Sequence, residues 1–139
     1  MRYIKLFEHL LNYSKISLSE FNDLVYIDGN LNLSKFETFT EEEVNMINSY
    51  LPNFDFELYD SWNEGEEYRV NNSMFMGDNF DGVLKSGESG TLISILKLKD
   101  EWYIITISNY ISSSKAIDTS YKCDQLNGLE DFLKNNRFD

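Results

Sequence analysis

The stretch TLISILKLKDEWYIITISNY, residues 91–110, constrains the fold more than any other part of the chain. Two runs of strand length, rich in Ile, Tyr and Trp, flank the polar triplet Lys99-Asp100-Glu101. β-Branched and aromatic side chains pack well on a pleated surface, and a short polar break between two such runs reads as a hairpin turn. The centre of the molecule is therefore predicted to be a twisted antiparallel sheet, focused on residues 91–108.

The neighbouring segments extend that sheet. FDFELYD alternates strictly, with Phe54, Phe56 and Leu58 on one face and Asp55, Glu57 and Tyr59 on the other, which predicts a half-buried strand with an acidic outer face. SWNEGEEYRV reads as a second strand turned at Gly65, AIDTSYKC as a further strand, and LVYIDGNLNL as two strands about an Asp28-Gly29 turn.

Helices are predicted over residues 2–13, 40–51 and 124–135, with a further turn in SLSEFNDL capped by Ser17 or Ser19. Ile4, Phe7, Leu10 and Leu11 form the apolar stripe of the first. The second has the clearest start: Thr40 caps, Glu43 sits at capping-box spacing, and Glu41 and Glu42 favour the positive end of the helix dipole, while Pro52 lies just past the natural stop. In the third, Asp124 is the expected cap, Leu126, Leu129, Phe132 and Leu133 the buried stripe, and Gly128 a residue that permits close packing on the sheet. With one proline, no repeat and no low-complexity linker, residues 1–139 read as a single α+β domain.

Charge and cysteine content narrow the function classes. The formal charge is −12, and residues 41–100 alone carry thirteen acids against four bases, a net −9. Without clustered Lys and Arg, direct binding to nucleic acid or to an anionic membrane is disfavoured, whereas a basic protein surface is attracted. One cysteine, no signal-peptide pattern and no long apolar run predict a cytoplasmic chain.

The stretch GDNFDGVLKSGE, residues 77–88, approximates a calcium loop, with Asn79, Asp81, Gly82 and Glu88 at positions 3, 5, 6 and 12. Position 1 is Gly77 and position 9 is Lys85, so too few oxygens remain for calcium, and no metal site is assigned. The glycines there predict a surface loop whose turns use positive φ. GVLKSGESG lacks the phosphate-loop spacing. Cys123 has no imidazole partner in reach of its sequence neighbourhood, and His9 stands alone, so no catalytic residue and no cofactor is assigned.

What remains is a surface. Asp55, Glu57, Asp60, Glu64, Glu66, Glu67, Asp78 and Asp81 are interleaved with Tyr59, Trp62 and Tyr68, and with Phe54, Phe56, Phe75 and Phe80. Acids would steer a basic partner and aromatics would anchor it, or the array would imitate nucleic-acid phosphates in a partner's cleft. The competing expectation is that the aromatics are core and the acids their solvated face.

The opening MRYIKLFEHL, the Asn/Ser/Ile-rich composition and the ending KDEWYIITIS…SYKCDQLNGLEDFLK resemble small accessory proteins of large tailed bacteriophages. That resemblance implies a host cytoplasmic setting and a partner among host factors or defence proteins. Three functions are carried forward: a non-enzymatic acidic module or inhibitor that binds a basic protein; a small-molecule or nucleotide binder with a pocket between sheet and helices; and an enzyme of unassigned reaction.

Overall fold

The computed structural model describes residues 12–59, 74–79, 90–112 and 115–136. A six-stranded antiparallel sheet runs through them. Its strands are β1 (Tyr13–Ile16), β4 (Asp55–Tyr59), β5 (Met74–Asp78), β6 (Gly90–Leu98), β7 (Trp102–Ser112) and β8 (Lys115–Asp124), in the order β1-β8-β7-β6-β5-β4. Five strands thus follow one another as a meander, and β1 closes the far side against β8. A separate ribbon of β2 (Tyr26–Ile27) and β3 (Asn30–Leu31) turns at Asp28-Gly29, both at positive φ, as the sequence pair predicts. Three helices complete the α+β domain: α1 (Leu18–Val25), α2 (Glu41–Tyr50) and α3 (Gln125–Asn135).

The burial of β6 and β7 explains their composition. On one face, Phe75, Ile93, Ile95, Tyr103, Ile105, Ile107 and Cys123 meet Ile47 and Leu51 at α2 and Leu129, Phe132 and Leu133 of α3. On the other, Leu96, Leu98 and Ile104 meet Val25 of α1, Ile16 and Phe36. Among the described residues that second layer covers one end of the sheet. Hence β6 alternates over its first half and is buried on both faces from Ile95 to Leu98, which turns an alternating pattern into a continuous apolar run. Toward the other end the same face carries Ser94, Thr106, Ser108 and Ser120, with the Thr106 and Ser120 hydroxyls 2.8 Å apart.

Local chemistry sets the helix ends. Ser17 and Thr40 each form a full capping box, with Glu20 and Glu43 as the reciprocal partners. Asp124 does not cap α3 through its side chain. Its backbone is still in the ladder opposite Trp102, its N–H donates to the Asn12 carbonyl at 2.8 Å, and the chain turns into the helix through Gln125 at φ 62°. At the other end Asn136, the residue after the last helical one, donates from Nδ2 to the Phe132 carbonyl at 2.7 Å.

Two expectations need correction. Of the helix predicted over 2–13, residues 1–11 lie outside the described part, and Tyr13 opens β1 because its ring packs edge-on against Phe132, 5.3 Å between centroids. Among the described residues the first helix is α1. Gly77 belongs to β5, not to a loop: a Cβ there would come within 2.6 Å of the Phe56 ring and 2.7 Å of the Asp55 carbonyl. The glycine lets Phe56 lie flat against Phe75, centroids 4.6 Å apart. The strand expected in SWNEGEEYRV lies outside the described residues.

Candidate functional site

β4 is the terminal strand of the sheet among the described residues. Its alternation is as predicted: Phe56 and Leu58 pack toward the core, and Asp55 and Glu57 are exposed on the opposite face. The register places Asp55 directly across from Asp78 on β5, and Glu57 across from Met76. The three carboxylates thus share one face at one corner of the sheet, where they concentrate negative potential. A charged outer strand also discourages unspecific edge-to-edge association.

Of the predicted site residues, the structure brings Asp55, Glu57 and Asp78 together and places Tyr59 at the end of β4. Asp60, Trp62, Glu64, Glu66, Glu67, Tyr68 and Asp81 lie outside the described residues. The aromatics divide differently from the anchoring expectation: Phe54 and Phe75 are buried and Phe56 packs against them, so these three are core. Asn79, the third position of the calcium-like stretch, accepts the Thr91 N–H at 2.7 Å and donates its own N–H to the Thr91 carbonyl at 3.2 Å, extending the β5–β6 pairing.

The sequence reading missed a buried polar centre on the helix-covered face. Lys97 and Tyr103 are direct cross-strand partners on β6 and β7, and both reach Glu43 at the start of α2. Lys97 Nζ lies 2.7 Å from Glu43 Oε1 and donates to the Thr38 carbonyl at 3.1 Å; the Tyr103 hydroxyl donates to Glu43 Oε2. The Thr40 N–H adds a bond to Oε1 at 2.6 Å. Burial alone would raise the Glu43 carboxyl, but the Lys97 ammonium, the Tyr103 hydroxyl and the Thr40 donors outweigh it and hold the group below its ordinary value. Burial, followed by the Glu43 carboxylate, pushes the Tyr103 hydroxyl well above the ordinary tyrosine range, so it stays a donor. One signal was available. Lys97 has the same parity as Ile93 and Ile95, and a lysine on a buried face calls for a carboxylate partner.

Cys123 is fully buried, and desolvation pushes its thiol up to about 12. It packs in the core as a small hydrophobe. A thiol-reactive dye at about pH 8 is expected to leave the native protein unmodified and to label one site per chain after unfolding in guanidinium, because the thiolate is the reacting species. Stoichiometric labelling of the folded chain would contradict this placement.

Among the described residues no three His, Cys, Asp or Glu side chains converge as metal ligands, and no helix is long and apolar enough to cross a membrane. A cavity opens between α1 and the sheet, at the end of the face away from the acidic corner. No protein-family model, no curated protein and no solved structure matches the chain.

Proposed function

We propose that this chain is a binding module whose acidic sheet edge, β4 with its neighbour β5, engages a basic protein surface. The observation that carries the reading is the placement of Asp55 opposite Asp78, with Glu57 exposed on the same face of the terminal strand. Solubility alone could be supplied by acids anywhere on the surface; gathering three of them on one face at one corner of the sheet concentrates the negative potential that a cationic surface meets. Among the described residues no strand pairs with the outer side of β4, so its backbone can offer donors and acceptors to an incoming extended segment, with charge providing steering and the ladder register. The resemblance to phage accessory proteins favours a host nucleic-acid-binding or defence protein as that partner, and its basic cleft is the surface such an edge would occupy.

The test compares wild type with the double variant Asp55→Lys/Glu57→Lys as bait in a nuclease-treated bacterial lysate at low salt. Wild type is expected to retain a basic protein that elutes as salt shortens the screening length, about 10 Å at 0.1 M. The variant should fail to retain it while still unfolding cooperatively in denaturant. Equal retention by both baits would refute the reading, and the stability measurement excludes misfolding as the reason for a loss.

A further inference from the structure

The cavity between α1 and the sheet has the opposite electrostatic character to the chain around it. Its volume is about 480 Å³, within the usual range for small-molecule sites. Leu98 and Trp102, cross-strand partners at the ends of β6 and β7, form its apolar floor, and Leu24 of α1 forms a wall. Lys35 enters from the short helical turn before Phe36, Lys99 from the β6–β7 turn, and Lys122 from β8. Lys122 Nζ lies 4.7 Å from the centre of the Trp102 ring, a cation–π arrangement. Asp100 at the rim is the single acid of the lining.

Three features together point to a ligand. First, among the described residues the one close ion pair is Lys97–Glu43, so none of the three cavity lysines has a carboxylate oxygen of a described residue within 4.0 Å. Second, in a chain of net charge −12 three lysines from separate elements meet at a single cavity, although solvated lysines would repel one another less if dispersed. Third, the cations ring an apolar, partly aromatic floor: such a site is made for a body that is flat and apolar at one end and anionic at the other.

We infer that this cavity binds a small phosphorylated ligand with a planar ring, of the mononucleotide class. The ring seats against Leu24, Leu98 and Trp102, and the phosphate lies among Lys35, Lys99 and Lys122, where an ammonium acts as a point charge for phosphate oxygens. This goes beyond the partner-binding proposal and does not depend on it. The cavity lies at the opposite end of the ladder from Asp55 and Asp78, with β5 between β4 and the strands that form it.

Trp102 supplies the readout. In a Trp62→Phe background it is the remaining tryptophan, and its fluorescence is followed during titration with AMP, GMP, ADP and GDP, with adenosine and inorganic pyrophosphate as the half-ligands. A saturable change is expected for at least one nucleotide, with an affinity at least about tenfold above those of adenosine and pyrophosphate. Lys35→Ala and Lys99→Ala should each weaken it about fivefold or more, whereas Lys15→Ala on β1 should leave it unchanged. The Asp55→Lys/Glu57→Lys protein should bind the nucleotide as wild type does, which separates the two proposals. No saturable change with any nucleotide up to about 5 mM overturns the inference. Pyrophosphate binding as well as the best nucleotide overturns the ring component, and affinity that survives both lysine changes overturns the location.

Discussion

Glu43→Gln is expected to destabilise the chain by about 3–5 kcal/mol, the largest loss of any single substitution considered, with a fall in Tm on the order of 10 °C. The change leaves the Lys97 ammonium buried without its counter-charge and loosens the Tyr103 hydroxyl and the Thr40 cap together. Lys97→Met should cost less, because the carboxylate keeps Tyr103 and Thr40 as donors. Replacing both, as Glu43→Leu with Lys97→Met, should recover part of the loss, since a buried pair is often no better than apolar side chains of similar volume. The pH dependence carries a sign. A carboxyl held below its ordinary value of 4.5 contributes stability that is present above that value and is lost as the pH falls through the depressed one. The stability gap between wild type and Glu43→Gln is therefore expected to be constant above about pH 5 and to narrow on acidification. Denaturant melts at a series of pH values measure it; a gap that widens toward acid would contradict the assignment.

Gly128→Ala should invert the usual helix rule. Alanine inside a helix is ordinarily favoured over glycine by about 1 kcal/mol. Here an added Cβ would fall on the Asn12 carbonyl and lie 3.1 Å from the Asn12 Cβ. That carbonyl is not free to move, because it accepts the Asp124 N–H where β8 passes into α3. The helix start must lift from the chain leading into β1, and overpacking of this kind costs about 1–3 kcal/mol. A lower Tm for Gly128→Ala is the expected result, and a stabilised variant would show that α3 and Asn12 are not packed as described.

These two sites mark where the sequence could be read and where it could not. The central hairpin, the alternation of β4 and the Thr40–Glu43 capping box are local patterns, so residues a few positions apart contain the whole signal. Gly128 was legible as a close approach, though not its partner, since Asn12 is distant in sequence. Glu43 was read correctly as a cap, and that local role concealed its tertiary one. The link from Glu43 to Lys97 and Tyr103 depends on which face of β6 meets α2, and parity along β6 was the one clue. β1 was not legible, because a four-residue strand holds little pattern and its partner β8 is far away in sequence; only Tyr13 fell within the predicted helix. The acidic corner was legible as composition, but the opposition of Asp55 and Asp78 needs the β4–β5 register. The cavity lysines left no local trace: Lys35, Lys99 and Lys122 meet only through the placement of α1 and the pairing of β7 with β8.

The proposal that the acidic edge is the partner-binding surface is tested most directly by hydrogen–deuterium exchange of the chain alone and saturated with the basic protein it retains. An incoming segment that adds to the terminal strand should slow exchange of the amides in Asp55–Tyr59, with smaller effects in Met74–Asp78 and none in Gln125–Asn135 on the helical layer. Slowed exchange confined to other strands or helices, with β4 unchanged, would place the partner elsewhere and contradict the account.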